Sequence, residues 1–192
     1  TGYSAEVDVP LPFDPEMAKE MLAAAGYPDG FSTKLDCPND RYINDEQVCV
    51  AIKAMWEQIG ITVDLNTESR STYFGKVDRG ETDIYMLGWA TLPAMDGFSP
   101  LRAILATRDG SSGGNNPNGL SDPRIDELNA AAAIETDEPT RVAMLTEALT
   151  IAHDKAYFLP VHQQPVAWAV RNGVEVPQFA DEYVRLWFAR IE

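Results

Sequence analysis

The fold is decided by two stretches of sequence, FSTKLDCPNDRYINDEQVCVAIKAMWEQIGITVDL at residues 31–65 and DIYMLGW at residues 83–89. Within the first stretch, residues 31–36 are predicted to form a strand, and residues 61–65, with Ile61, Thr62 and Val63, have the β-branched run of another. The second stretch is almost continuously apolar, which is typical of a strand that is buried on both faces. Three strands in succession are therefore predicted.

Helices are predicted between these strands and ahead of them. Residues 45–59 and 71–79 precede Gly60 and Gly80, and glycine is a common residue at which helices stop. A third helix is predicted over residues 14–25. The alternation of strand and helix predicts an α/β fold, in which a mainly parallel sheet is flanked by helices and the crossovers are right-handed.

The second half of the chain is predicted to be helical at first and less regular later. A loop rich in glycine, asparagine and serine, residues 109–119, is expected to be flexible or to act as a lid. Two helices, 122–134 with Ser121 as its cap and 138–156, are expected to form a hairpin against the sheet. The tail contains two β-like runs, at residues 166–170 and 183–189.

The composition is that of a globular protein that avoids anionic partners. The chain has 192 residues, of which 45% are apolar and 23% charged, and its formal net charge at pH 7 is −15. Such a charge repels a phosphate backbone and an anionic membrane, so neither nucleic acid nor a membrane surface is an expected partner. No apolar run reaches the roughly 18 residues that a membrane span needs. The chain is expected to be soluble, with any targeting segment removed or upstream.

The sequence contains few of the side chains that catalysis or metal binding requires. Its two histidines are His153 and His162, it has no G-x-S-x-G motif, and the glycine-rich loop lacks the Lys-Ser or Lys-Thr ending of a phosphate-binding loop. His153 lies on the apolar stripe of a predicted helix and is expected to be a hydrogen-bonded core or interface residue. We therefore expect no enzymatic activity, no metal site and no cofactor.

The two cysteines, Cys37 and Cys49, are separated by twelve positions. A structural zinc usually needs four ligands and a C-x-x-C pair, so this spacing does not fit such a site. The pair could form one disulfide, which would indicate an oxidising compartment, or remain as two buried thiols. The residues alone leave both alternatives open.

Candidate binding residues lie in the loops that follow the predicted strands, because open α/β sheets bind ligands at the carboxyl ends of their strands. The second of these loops is residues 68–73. The first and third loops supply the predicted ligand-binding side chains, namely Arg41, Tyr42 and Asn44 in the first and Trp89, Thr91 and Asp96 in the third.

Three of these side chains have an alternative role. The planar guanidinium of Arg41 suits a ligand carboxylate, but it could instead pair with Asp40, Asp45 or another acid of the chain. Trp89 could stack on a ligand or belong to the core. Asp96 could bind a ligand amine or serve as a turn or cap residue.

Several motifs resemble the family 5 solute-binding proteins of ABC transporters, the dipeptide, oligopeptide and nickel group. The first of them is FDPEMAKEMLAAAGYPDGF at residues 13–31. Further matches follow in the family's order, namely DCPNDRY at 36–42, QIGI at 58–61, LGW at 87–89, LSDPRIDEL at 120–128 and LPVHQQ at 159–164. The resemblance thus extends over nearly the whole chain.

The resemblance implies the fold of a lobe of a type II periplasmic binding protein. Residues 1–170 would form the C-terminal ligand-binding lobe, and residues 171–192 would return through the hinge to a missing N-terminal lobe. The chain is therefore expected to be a fragment of a longer protein. Without its partner lobe, the aromatic tail would expose a large apolar surface.

The resemblance also implies a function. The chain would belong to a monomeric, non-catalytic protein of the bacterial periplasm that binds a peptide or similar small carboxylated solute and delivers it to an ABC transporter permease. One alternative is a protein-interaction or chaperone-like module outside transport. A second alternative is a metal or haem carrier.

Individual residues also receive roles from the resemblance. In the dipeptide binders of the family, an arginine after the first strand of this lobe holds the peptide carboxylate, and Arg41 stands at that place. Those proteins hold the peptide amine with an aspartate three residues after the Gly-Trp pair, where this chain has Leu92, and Asp96 is the nearest acid beyond it. Unless Asp96 substitutes, this departure implies a modified peptide, an opine or a sugar acid as the ligand. The periplasm favours a disulfide between Cys37 and Cys49.

Overall fold

A parallel three-stranded sheet forms the first half of the protein. The computed structural model describes residues 1–5, 7–91, 94–179 and 183–191. Strands β1 (Ser32–Pro38), β2 (Thr62–Glu68) and β3 (Ile84–Tyr85) lie in the order β2-β1-β3, and both strand pairs are parallel. The predicted α/β fold with a mainly parallel sheet is confirmed.

The third strand is much shorter than predicted. Of the apolar run 83–89, only two residues pair with β1, and Ile84 is 36% exposed. The prediction of a long strand buried on both faces was therefore wrong. The chain leaves the sheet after Tyr85 because side chains bond to the backbone that follows. The hydroxyl of Tyr73 donates to the carbonyl of Met86, and the hydroxyl of Tyr42 accepts the amide of Gly88.

Three helices flank these strands. Helix α1 (Pro15–Ala24) precedes β1, α2 (Asp45–Glu57) joins β1 to β2, and α3 (Arg70–Asp78) joins β2 to β3. These helices confirm the predicted ones. Helix α1 begins where the carboxylate of Asp14 accepts the backbone amide of Met17, as an N-cap does.

The sheet and α2 share one apolar core. Helix α1 has no buried residue, so it adds only partly buried side chains to this core. Burial of apolar side chains between β1, β2 and α2 holds the helix on the sheet. The buried members of this core are Leu35, Cys37, Cys49, Ile61 and Val63.

The second half of the chain is helical. A short α4 (Phe98–Pro100) continues into a π-helix (Leu101–Leu105), and α5 (Pro123–Ala132) and α6 (Glu138–Asp154) follow. Helices α5 and α6 pack against each other, which confirms the predicted hairpin. The hairpin does not pack against the sheet as expected, because its apolar side chains join those of the π-helix in a second, separate core. No helix in the described ranges is long and apolar enough to cross a membrane.

The cap of α5 is Asp122, not Ser121 as predicted. The Asp122 carboxylate accepts the amide of Arg124 at 3.0 Å. It also accepts hydrogen bonds from Lys155 at 2.6 Å and from the hydroxyl of Tyr157 at 3.0 Å, just beyond the end of α6. Asp122 is 5% exposed, so one buried carboxylate joins the start of α5 to the end of α6. A serine could cap the helix, but it could not form this ion pair.

The loop at residues 109–119 is held to the body of the protein. Asn116 is buried, and its amide nitrogen donates to the carbonyls of Ala106 at 3.0 Å and Leu120 at 2.6 Å. Its amide oxygen accepts the backbone amide of Leu120. The loop is therefore anchored at Asn116, and its role as a flexible segment or lid stays a prediction. The sequence indicated turn-forming residues, but not that one asparagine among them would be buried and fully bonded.

The tail is less regular than predicted. Strands β4 (Val174–Glu175) and β5 (Arg190–Ile191) form a two-stranded antiparallel sheet, and Leu186–Phe188 is a 3-10 turn. The prediction of strands at residues 166–170 and 183–189 was therefore wrong, because an alternating apolar pattern forms a strand only beside a partner strand. Several large apolar side chains of the tail are exposed, as expected, including Leu186, Trp187 and Ile191.

His153 lies on α6 and is hydrogen-bonded at both ring nitrogens, as predicted. Its Nδ1 lies 3.1 Å from Oδ1 of Asp154, and its Nε2 lies 3.2 Å from the carbonyl oxygen of Val9. The bond to Asp154, followed by the bond to Val9, raises the pKa of His153. The ring therefore ties the N-terminal segment to the last helix.

Candidate functional site

The loops at the carboxyl ends of the three strands are bonded to one another. In the loop after β1, Oδ1 of Asp40 accepts the backbone amide of Arg70 at 2.6 Å. In the same loop, the hydroxyl of Tyr42 accepts the backbone amide of Gly88 at 2.7 Å. Since β1 is the central strand, its loop lies between the other two. The three loops meet at the edge where open α/β sheets bind ligands.

The loop after β2 is shorter than predicted. Helix α3 begins at Arg70, so of the predicted loop 68–73 only Ser69 lies between β2 and α3. Tyr73 is fully buried inside the protein. The candidate site is therefore formed mainly by the loops after β1 and β3.

A buried carboxylate fixes the shape of the loop after β1. Oδ2 of Asp45 accepts the backbone amides of Arg41 and Tyr42, both at 2.9 Å, and its Oδ1 accepts the amide of Glu46 at 2.9 Å. Burial acts to raise the pKa of Asp45, but the backbone hydrogen bonds together outweigh it and lower the pKa. The ionised carboxylate therefore holds the backbone of Arg41 and Tyr42 in one conformation.

The side chain of Arg41 is exposed and has no acidic partner among the residues that the structure describes. Its Cζ lies 4.8 Å from the centroid of the Tyr42 ring, which is a cation–π contact. Asp40 and Asp45, the alternative partners, bond to backbone amides instead. The guanidinium is thus available to an external anion.

Tyr42 and Gly88 are in close contact. A Cβ placed on Gly88 would lie 2.5 Å from Cε1 of the Tyr42 ring, closer than carbon atoms approach in proteins. Only glycine fits at this position without moving the ring. The close approach also lets the amide of Gly88 reach the phenolic oxygen. Tyr42 therefore connects Arg41 on one side to the chain that carries Trp89 on the other.

Trp89 and Thr91 lie on the loop after β3. Trp89 is 39% exposed, and its Nε1 donates to the hydroxyl of Ser99 at 3.1 Å. It is therefore not the core tryptophan of the alternative reading, and part of its ring can contact another molecule. Thr91 is half-buried, and its carbonyl accepts the amide of Met95 at 2.7 Å.

Asp96 and Asn44 both have structural roles. Oδ2 of Asp96 forms an ion pair with Nη1 of Arg141 at 2.8 Å, and its Oδ1 accepts the amide of Phe98 at 2.9 Å. Asp96 is thus a turn residue in this structure, which was one of its alternative roles. Asn44 has the left-handed conformation, with φ at 56°, and turns the exposed loop into α2. Leu92 lies outside the described residues.

Cys37 and Cys49 form a disulfide, and both residues are fully buried. The bridge joins the end of β1 to α2, so it closes the chain segment that contains Arg41 and Tyr42. This is the alternative that the family resemblance favoured. A cross-link of this kind limits the conformations open to the loop.

Two buried polar contacts behind the loops were missed by the sequence reasoning. Asp36 on β1 is fully buried and forms an ion pair with Lys76 of α3. The hydroxyl of Tyr73 donates to the carbonyl of Met86 at 2.6 Å, and burial raises its pKa. Both contacts fix α3 and the chain after β3. The one available signal was a charged residue, Asp36, at the end of a predicted strand.

Residues 1–112 match the family model described as bacterial extracellular solute-binding proteins, family 5 middle. This match covers more than half of the chain, including the loops after β1 and β3. The chain belongs to family 5 of the bacterial extracellular solute-binding proteins. The predicted family is therefore confirmed.

Family 5 relatives are similar along most of this chain. Heme-binding protein A of Haemophilus influenzae is 28% identical over an alignment of 187 positions, which covers 92% of this chain and 33% of the relative. The dipeptide-binding protein of Escherichia coli is also 28% identical, over 91% of this chain and 32% of the relative. The chain thus spans about a third of the length of the curated relatives it matches.

Solved structures of the family share the fold. HbpA2 from Haemophilus parasuis matches all of this chain and 38% of its own, with a TM-score of 0.79 at 23% identity. DppA from Helicobacter pylori, solved in complex with the peptide STSA, matches 81% of this chain and 30% of its own, with a TM-score of 0.70 at 28% identity. The predicted fold of a type II periplasmic-binding-protein lobe is confirmed.

Proposed function

We propose that this chain is the C-terminal ligand-binding lobe of the solute-binding component of an ABC importer. The whole protein captures a peptide or similar small carboxylated solute in the bacterial periplasm and delivers it to a membrane permease. Residues 1–170 form the lobe, and residues 171–192 return through the hinge to an N-terminal lobe. The observation that most supports this proposal is the unpaired guanidinium of Arg41 at the ligand-binding edge of a parallel sheet.

The site residues have distinct roles in this proposal. Arg41 binds the solute carboxylate with two parallel hydrogen bonds, which a planar guanidinium is shaped to form. The rings of Tyr42 and Trp89 flank the solute. Thr91 and Asn44 offer polar groups at its ends, which completes the small set of polar groups typical of a ligand site.

The ligand amine is the weakest part of the recognition. Asp96 is the predicted amine partner, but its two oxygens are bonded to Arg141 and to the amide of Phe98. Binding an amine would require Asp96 to exchange its ion pair. A solute with a carboxylate and a blocked or absent amine therefore fits this arrangement better than a free dipeptide.

The mechanism is non-catalytic. The solute binds between the two lobes and has a higher affinity for their closed arrangement, so binding shifts the hinge equilibrium towards closure. The permease then recognises the closed form. One monomer is sufficient for this cycle, and no bond is made or broken.

A haem or metal carrier is the second candidate, because the relative from Haemophilus influenzae is a haem-binding protein, whereas the relative from Escherichia coli is a dipeptide-binding protein. No group of three or more His, Cys, Asp or Glu side chains in the described ranges could hold a metal. A haem titration of the full-length protein, followed by visible absorbance, separates the candidates. A saturable spectral change would favour the carrier.

Arg41→Ala in the full-length protein should weaken the binding of N-acetyl-Ala-Ala by about 2 kcal/mol or more, roughly 30-fold, because the carboxylate loses its charged partner. Isothermal titration calorimetry measures the change. The same peptide with a C-terminal amide should bind weakly to both proteins.

The matched control is Arg79→Ala, since Arg79 is an exposed arginine that pairs with Glu81 away from the loops. This variant should bind N-acetyl-Ala-Ala as the wild type does. If the wild type and Arg41→Ala bind a carboxylated solute with equal affinity, Arg41 is not the residue that binds the carboxylate.

A further inference from the structure

A second exposed arginine lies in a groove beside the candidate site. The groove has a volume of about 370 Å³ and lies between the π-helix and the loop at residues 109–119. Its surface is mainly apolar and contains one cation. The lining residues are Phe98, Ser99, Arg102, Ala103, Ser111, Ser112 and Gly114. A π-helix is rare in proteins and frequently occurs at functional sites.

The groove is continuous with the loop after β3. Ser99, which lines it, accepts the hydrogen bond from Nε1 of Trp89. Trp89 follows Gly88, whose amide is bonded to Tyr42, and the Tyr42 ring lies under the guanidinium of Arg41. An unbroken series of contacts therefore leads from Arg41 across Trp89 into the groove.

Arg102 has guanidinium N–H groups in this groove that are not used in hydrogen bonds within the described part of the chain. Its Nε and Nη2 both donate to the carbonyl of Ser111, at 3.2 and 3.1 Å, which fixes the plane of the guanidinium. The other three N–H groups have no acceptor within the described part of the chain, and no carboxylate there pairs with this side chain. The nearby carboxylate of Asp109 is turned to the amides of Ser111 and Ser112, at 2.8 and 2.7 Å.

The loop that forms the opposite wall is firmly placed. The amide of Gly113 donates to the carbonyl of Arg102, and the amide of Asn115 donates to that of Ala103, both at 2.8 Å. The hydroxyl of Ser112 accepts the side-chain amide of Asn129 at 3.1 Å, which sets its position in the wall. The wall and the guanidinium are thus preorganised, which reduces the entropy cost of binding.

We propose that Arg102 and Ser112 form a second anion subsite, which binds an additional acidic group of the solute whose carboxylate is held by Arg41. This inference rests on the proposed function and narrows its solute class to molecules with two acidic groups. The two guanidiniums, both without acidic partners in a chain of net charge −15, lie at the two ends of this series of contacts.

The test compares two peptides that differ in one charge. Calorimetry on the full-length protein should give N-acetyl-Ala-Glu an affinity about tenfold or more above that of N-acetyl-Ala-Gln, since a charged hydrogen bond to arginine is gained. Arg102→Gln should remove this preference while leaving the affinity for N-acetyl-Ala-Gln unchanged. Ser112→Ala, which keeps the guanidinium, should reduce the preference in part.

The matched control is Arg108→Gln, because Arg108 is also exposed and also donates to a backbone carbonyl, that of Asp78, outside the groove. It should keep the full preference for glutamate. Equal affinity of the wild type for the two peptides would overturn the subsite and leave the proposed function standing. If neither peptide binds, the subsite is overturned, and the proposed function is then decided by other carboxylated solutes.

Discussion

Asp122→Ala should lower the free energy of unfolding of the full-length protein by about 3 kcal/mol, because it removes an N-cap and the buried partner of an ion pair with Lys155. This expected loss is at the lower end of the range for breaking a buried ion pair, because the side chain of Lys155 is half-exposed. The loss can be measured by urea denaturation. The matched control is Asp137→Ala, because Asp137 caps α6 in the same way but is exposed and forms no ion pair. It should cost clearly less.

The same carboxylate should make stability depend on pH. The hydrogen bond from Lys155, and then that from Tyr157, lower the pKa of Asp122 from 3.8 to about 2 against the effect of burial. Its contribution is therefore fully present above pH 3.8 and is lost as the pH falls from about 4 to 2. Asp122→Ala should flatten this part of the stability profile. A variant that loses stability in parallel with the wild type over this range would contradict the assignment.

Removal of the disulfide should have an effect of similar size. In the double variant Cys37→Ala with Cys49→Ala, the free energy of unfolding should be about 3 kcal/mol lower than in the wild type. This is the value expected for a bridge that closes a short loop. Because the bridge closes the segment that contains Arg41, the double variant should also bind carboxylated solutes more weakly. Urea denaturation and calorimetry measure the two effects.

The reducing agent dithiothreitol provides the control for this prediction. It should shift the unfolding midpoint of the wild type towards that of the double variant and leave the double variant unchanged. Identical midpoints for the oxidised wild type and the double variant would show that the bridge contributes nothing to stability.

The sheet and its helices could be predicted because local sequence patterns determine them. The β-branched run at the start of β2 and the glycines after α2 and α3 mark these elements, and the family motifs agree with them. The apolar run at 83–89 misled because apolar residues indicate burial, whereas a strand also needs backbone partners. Here Tyr73 and Tyr42 bond to that backbone, and no local pattern indicates such contacts.

The position of the candidate site in the fold could be predicted from the sequence. The contacts that hold its loops in place could not. The rule that ligands bind at the carboxyl ends of parallel strands correctly brought the loops of Arg41 and Trp89 together. The role of Asp45 escaped the sequence reasoning, because an aspartate at the start of a helix is usually a solvated first-turn acid. Arg102 was missed because its setting depends on a π-helix and on a loop folded back over it.

The most direct test of the central claim is a thermal-shift measurement on the full-length protein, with a panel of dipeptides, N-acetylated peptides, oligopeptides, opines, sugar acids and nickel. A ligand at 100 times its dissociation constant stabilises the folded protein by about 2.7 kcal/mol. We expect the unfolding midpoint to rise with carboxylated solutes, most with those that lack a free amine, and expect Arg41→Ala to abolish the rise. A midpoint that no carboxylated solute changes would contradict the account and favour a protein-interaction module.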